Sequence, residues 1–201
     1  MAKQINKNRM FISRLLVVSI VIASFLTTPI ISDDTILHHV IRVIGYLMLI
    51  TCAIGRIYSS MFIGGHKNDT LIKDGPYSAC RNPLYLYTMI GAVGIGFAFA
   101  QLTYAVILFV VLFVVYYRLI IREEVFLEKK IGDEYTKYKN KVPRVIPDFS
   151  KFKLPKEMVF QTKYINYAIR DAVWWFMPYP LYELISYLHS QGIVEPLVAI
   201  W

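Results

Sequence analysis

Four apolar runs, separated by loops of alternating charge, constrain this chain more than any other feature. They cover Leu15–Ile31, Ile36–Ile57, Pro83–Ala100 and Leu102–Ile121. About 20 apolar residues is what an α-helix needs to cross the hydrocarbon core of a bilayer. Within that core each backbone polar group must bond inside its own segment, which favours helices. The expected fold class is therefore all-α. It is a polytopic membrane helical bundle with four transmembrane helices, five if the C-terminal segment also crosses, and a cytoplasmic helical C-terminal part. Composition agrees: 56% of the 201 residues are hydrophobic and 18% charged, with mean hydropathy +0.47.

The loops set the expected topology. The arm before the first run carries Lys3, Lys7, Arg9 and Arg14, and the next loop carries Asp33 and Asp34. Arg56, Lys67, Lys73 and Arg81 mark the third loop, a neutral turn at Gln101 follows, and residues 122–156 hold ten basic and six acidic side chains. Basic loops stay in the cytoplasm, so both termini are expected there. Ser32-Asp33-Asp34 follows the first run where a signal peptide would have a small-residue cleavage site, so that run reads as a retained span. With no eukaryotic targeting signal visible, the expected location is a prokaryotic inner membrane. Arg42, near one end of the second run, is expected to snorkel towards the membrane surface.

Other function classes recede. The net charge of +8 suits a membrane surface, and no nucleic-acid-binding motif accompanies it. Cys52 and Cys80 do not form a disulfide framework. With His38, His39, His66 and His189 they show no metal-ligand spacing, so no metal site is expected. Residues 1–147 read as the transmembrane core. Residues 148–201 read as an aromatic, interfacial or re-entrant segment with Trp174, Trp175, Phe176, Tyr179, Tyr182 and Tyr187, interrupted by Pro178 and Pro180. A helix from Arg122 to about Lys141 is expected, ended by Pro143 and Pro147. Gly91, Gly94 and Gly96, with Ala92 and Ala100, suit close helix packing or a slot for a lipid tail.

The last two runs form a hairpin. Pro83–Gln101 and Thr103–Ile121 are 19 residues each, about 28 Å of helix at ~1.5 Å per residue. Equal arms bring Arg81 and Glu123 side by side at the cytoplasmic face. Pro83 suits the first helical position and Asn82 the N-cap. Free N–H groups at that helix start attract anions, and Arg81 adds a permanent charge. Glu123 and Glu124 suit a cation, and Tyr77 and Tyr85 offer aromatic faces to one. An amino-acid-bearing sulfonium matches this pairing of sites. Plainer roles fit too: Arg81 as a topology anchor, the two acids paired with Arg81, Arg122 or Lys130, and the tyrosines as belt residues.

The motifs Gly75-Pro76-Tyr77, Arg81-Asn82-Pro83-x-Tyr85, Glu123-Glu124-x-x-Leu127, Gly132-x-x-Tyr135-x-x-Tyr138 and Val142-x-Arg144-x-x-Pro147 occur in order. Over roughly Asp69 to Pro147 the chain resembles the isoprenylcysteine carboxyl methyltransferase and phospholipid methyltransferase superfamily of integral membrane enzymes. The resemblance implies S-adenosylmethionine as cofactor, lined by Gly75, Pro76, Tyr77, Arg81, Asn82, Pro83, Tyr85, Glu123 and Glu124. It also implies a closing segment with Tyr135, Tyr138, Arg144 and Pro147. Asn82 stands where the family usually has His, and Asp69 where it often has another; Asn hydrogen-bonds but takes no proton at neutral pH. The expected function is methyl transfer at the cytoplasmic face to a lipophilic acceptor, either an isoprenylcysteine-like carboxylate or a lipid head group. Arg81 and Glu124 are the expected catalytic residues. The expected partners are that lipophilic substrate and membrane lipids, without nucleic acid. Two rivals stand beside it. Sterol-reductase-like enzymes use NADPH and share part of the pattern, with Asp and Cys where this chain has Glu124 and Leu127. The other rival is a non-catalytic membrane scaffold.

Overall fold

A computed structural model describes residues 2–64, 70–157 and 161–201, with side chains from Phe11 onward. His66, Lys67 and Asp69, and the side chains of Lys3, Lys7 and Arg9, lie outside the described residues. The elements are α1 (Ala2–Ala23), β1 (Thr27–Pro29), α2 (Ile36–Ile63), α3 (Pro76–Ala79), α4 (Pro83–Ala98), α5 (Leu102–Ile131), α6 (Asp133–Lys141), a 3-10 turn at Phe149–Lys151, α7 (Thr162–Trp174), α8 (Pro178–Ser190) and β2 (Val198–Ile200).

The chain is mostly helical. Helices α2 and α5 are long and apolar enough to cross a bilayer; Phe11–Ala23 and Pro83–Ala98 are shorter apolar stretches. Outward faces of α2 (Val40, Ile44, Leu47, Ile54) and α5 (Val106, Val110, Phe113, Val114) are exposed. Apolar surface on that scale is uncommon in soluble monomers and suits lipid contact.

The core forms around α4. Leu49, Cys52, Ile95, Phe99, Leu108, Leu112, Tyr116 and Ile120 are buried together there. Small residues let α4 approach its neighbours. A Cβ at Gly45 would collide with the Ala98 backbone, and one at Gly96 with the Ala105 backbone. The space beside Gly91 and Gly94 is taken by Cys52, Trp175 and Met48. Close helix packing explains these glycines, and side chains fill the place of a tail slot.

Four expectations are corrected. The first helix ends at Ala23, short of Ile31, because β-branched Thr27 and Thr28 followed by Pro29 favour extended chain. These three residues pair in parallel with Val198–Ile200. The helix after Arg122 breaks at Gly132, whose φ of +71° suits glycine. Arg42 turns inward: it donates to the Tyr179 hydroxyl at 2.9 Å and pairs with Glu183. The two ends of the chain also lie apart. From Tyr164 beside Gly64, the last segment places Asp171 on Arg56, Tyr182 against Phe99, and β2 on β1. Helices α7 and α8 thus run the length of the bundle, and Trp201 finishes at the end opposite the start of α4. The loop charges alone assign both ends to one side, whereas the described ends lie at opposite ends of the helical bundle.

That last segment is part of the core. Trp175 and Tyr182 are buried in it, and Pro178 takes the first turn of α8, where a missing N–H is tolerated. Arg56 is buried and donates from Nε to Asp171 at 3.0 Å, with Thr88 as a further partner. Arg14 approaches the other Asp171 oxygen at 3.5 Å.

Gly45→Ala and Gly96→Ala are each expected to destabilise the protein by about 1–3 kcal/mol through overpacking. Unfolding midpoints in detergent check this, with Val110→Ala on the outer face expected to stay near wild type.

Candidate functional site

The site lies where α4 begins and α5 leaves its apolar stretch. Helix α3 enters through Gly75, whose φ is +58° and whose missing Cβ makes room for the Phe62 ring. The Gly75 N–H donates to the Lys153 carbonyl at 2.7 Å, so the chain after Pro147 is laced to this loop. Pro83 then starts α4, with Asn82 at the N-cap position. Asn82 caps nothing with its side chain. Its Nδ2 donates to the Arg144 carbonyl at 3.0 Å and to Glu124 Oε1 at 3.4 Å.

Glu124 is the centre of the cluster, 4% exposed. Arg81 donates from Nε to Glu124 Oε1 at 3.0 Å, and Arg144 donates from Nε to Oε2 at 3.1 Å. Both oxygens are thus held by guanidinium groups, and charge-assisted pairs of this kind are among the stronger hydrogen bonds. Arg81 also donates to the carbonyls of Lys139 and of Val142, the latter at 3.1 Å. These carbonyls end α6, so Arg81 clamps the C-terminus of that helix, where a cation is favoured. The Tyr138 hydroxyl donates to the Tyr77 carbonyl at 2.7 Å. Burial pushes the Tyr138 and Tyr135 phenols well above their ordinary range, with the Glu124 carboxylate adding to the rise at Tyr135. Both stay protonated at neutral pH, and Tyr138 acts as a donor.

The structure brings Arg81, Asn82, Glu124 and Arg144 together, with Pro83 directly behind them. Gly75, Pro76 and Tyr77 form the buried turn that carries Arg81. Tyr85 faces the core and packs edge-on against Tyr116 at 4.9 Å. Glu123 is half-buried one position away and does not share the Glu124 cluster; on a helix, adjacent side chains point about 100° apart. A cleft of about 670 Å³ opens beside the cluster, lined by Arg81, Lys139, Lys141, Arg144, Asp148 and Lys151 among others. Its lysines were not foreseen. A run of basic residues after α6 is visible in the sequence, but its position over the site depends on the turn at Gly132.

The phospholipid methyltransferase family matches residues 34–134, a stretch holding Arg81, Asn82 and Glu124. The chain belongs to the phospholipid methyltransferase family. It is 27% identical over 184 residues to the cobalt-zinc-cadmium resistance protein CzcN of Cupriavidus metallidurans, covering 92% of this chain and 85% of that protein. It is 30% identical over 158 residues to the nickel-cobalt-cadmium resistance protein NccN of Alcaligenes xylosoxydans xylosoxydans, covering 79% and 74%. No solved structure matches. The phospholipid methyltransferase match ends at residue 134, so Arg144 and the basic lining of the cleft lie beyond it.

Replacing Glu124 by Gln leaves two guanidinium groups sharing a neutral amide. The expected loss is about 3–5 kcal/mol, as for other broken buried pairs. Arg144→Gln is expected to cost about 1 kcal/mol, since Arg144 is partly solvated. Denaturation midpoints in detergent separate the two. Burial pushes the Cys80 thiol up to about 11. It should therefore resist alkylation at pH 7.5 in the folded protein and react on unfolding; mass spectrometry after iodoacetamide reads both states.

Proposed function

We propose that this chain is an S-adenosylmethionine-dependent methyltransferase of a prokaryotic inner membrane. On this reading α1, α2, α4 and α5 cross the bilayer, and α7 with α8 forms a fifth, broken crossing. The site end faces the cytoplasm, as its basic loops favour. The acceptor is lipophilic, a carboxylate or a lipid head group reached from the membrane.

The observation that carries the reading is the Arg81–Glu124–Arg144–Asn82 cluster beside the cleft, which Arg81 and Arg144 line. The cluster joins two segments within the family match, at Arg81-Asn82 and Glu124, to the Arg144 segment beyond it, at the end of an apolar bundle. The cofactor's requirements fit what is present. A cleft of about 670 Å³ lies within the usual size of small-molecule sites. Arg144 lines it with a partly exposed guanidinium suited to the amino-acid carboxylate. Asp148 lines it with a carboxylate that is paired with Lys151 and that the ligand amine would share. Bound S-adenosylmethionine supplies a methyl group on an already activated, positively charged sulfur.

The residues then divide their work. Glu124 spends both oxygens on arginines and fixes their geometry, so it and Arg81 are positioning residues. Arg144 offers the ligand contact. Asn82 holds the Arg144 backbone through its side-chain amide. Orientation in a preformed, charge-matched site is a major source of rate for such a transfer. A carboxylate acceptor needs no base; an amine acceptor must arrive deprotonated, because the nearby phenols remain protonated.

The names of the two relatives add a setting, resistance to cobalt, zinc, cadmium and nickel, in which methylation of a membrane component would serve. The basic lining of the cleft keeps NADPH as a competitor worth measuring. Calorimetry on detergent-solubilised protein is expected to show S-adenosylmethionine binding and no NADPH binding. Arg144→Ala, still folded by circular dichroism, should weaken binding at least tenfold. NADPH binding in its place would move the chain to the reductases, and binding of neither by folded protein would leave a scaffold.

A further inference from the structure

The segment after α6 has a character that methyl transfer does not require. Ile146 is 81% exposed and Phe149 71% exposed, and Phe152 and Leu154 are exposed as well. Basic residues interleave with them. Residues 141–156 hold Lys141, Arg144, Lys151, Lys153 and Lys156 against a single acid, Asp148. Asp148 is itself paired with Lys151 at 2.9 Å. Large apolar side chains standing free beside a surplus of positive charge fit water poorly and an anionic interface well.

The position of the segment is fixed by three contacts. The Arg81 N–H donates to the Pro143 carbonyl at 2.9 Å, and the Asp148 N–H donates to the Ala79 carbonyl at 2.9 Å. Both partners lie within a few residues of Pro83, the first residue of α4. The Arg144 guanidinium sits 5.9 Å from the centre of the Tyr117 ring. Tyr117 is an exposed residue of the apolar part of α5, one helical turn before Ile121. The segment therefore lies at the depth where the apolar surface of the bundle ends.

We propose that the segment from Pro143 to Leu154 is an interfacial anchor, which inserts Ile146 and Phe149 at the hydrocarbon edge and binds anionic lipid head groups through its lysines. The proposal rests on the membrane placement given above. It follows that the cleft opens into the head-group layer, because Arg144, Ile146 and Lys151 belong to both. An acceptor with a phosphate or carboxylate head would be gathered there before it reaches the cleft. Each lysine near an anionic surface contributes on the order of 1 kcal/mol to such attraction, screened by salt.

Site-directed spin labelling tests this apart from any methyl transfer. Cys52 and Cys80 are both buried, so a nitroxide reports from an introduced cysteine. Ile146→Cys and Phe149→Cys are labelled in nanodiscs of phosphatidylcholine alone and with one third phosphatidylglycerol. Lys137→Cys on the exposed face of α6 serves as the water-facing control. In the anionic discs both anchor labels should collide with oxygen at least threefold more than with a water-soluble nickel chelate, relative to the control. That preference should fall in the neutral discs and in a Lys151→Gln/Lys153→Gln background. Labels as accessible to nickel as the control would overturn the anchor, including a segment reserved for a protein partner. Equal immersion in both lipids would overturn the lysine recognition. Donor binding by calorimetry is read separately in detergent, so the two readings fail independently.

Discussion

One buried carboxylate organises the site end of this molecule. Glu124 sits on α5 just past its apolar stretch and draws a guanidinium onto each oxygen. Arg81 arrives from the loop before α4 and Arg144 from the irregular chain after α6. Without Glu124 these two cations would repel each other at the same helix end. With it, three segments far apart in sequence acquire one fixed relation. Arg81 then uses its remaining donors on the carbonyls that end α6. The mouth of the cleft inherits its shape from that arrangement. Ion pairs this enclosed add little net stability over a well-packed apolar alternative, yet removing one partner is costly. Their effect is to specify geometry, which is what a binding site needs.

A second pair of ionic contacts does the same for the last part of the chain. Arg56 with Asp171 and Arg42 with Glu183 tie α7 and α8 to α2 at two heights. The two arginines are 14 residues apart, about four turns, and so share a face of α2. Aromatic stacking of Phe99 on Tyr182, with ring centres 4.0 Å apart, joins the same segment to the end of α4. Charges within apolar helices are expensive unless partnered. Here the partners come from the segment that lacks a continuous apolar helix of its own. The broken helix supplies acids, and the straight helix supplies bases.

Much of this was legible before any coordinates. The equal arms of the α4–α5 hairpin brought Arg81 level with the Glu123-Glu124 pair, but the expected neighbour was Glu123 and the structure pairs Arg81 with Glu124 instead, because adjacent helical side chains point in different directions. The glycines of α4 read correctly as contacts for neighbouring helices. What could not be read depends on turns. Gly132 redirects the chain so that Lys139 and Val142 present carbonyls to Arg81, and no local pattern announces that return. Arg42 looked like a snorkelling side chain because its partner, Glu183, is 141 positions away, beyond a proline-broken stretch. The segment after Thr162 carries a weaker apolar signal than a continuous span. Its burial comes from Trp175 and Tyr182 fitting a groove that other helices make.

The parallel pairing of Thr27–Pro29 with Val198–Ile200 bears on how the chain is made. The two strands are separated by roughly 170 residues, and bringing them together closes nearly the whole polypeptide into a loop. Contacts of such long range form late, since the entropy of closure must be overcome first. During synthesis the loop after α1 waits unpaired until every other element has been made. The Glu124 cluster, by contrast, needs nothing beyond Arg144. The end that carries the candidate site can therefore take shape before the opposite end is fastened. Quality control of assembly in this protein would then be read at the far face, where an unpaired Thr27–Pro29 marks a chain that is still unfinished.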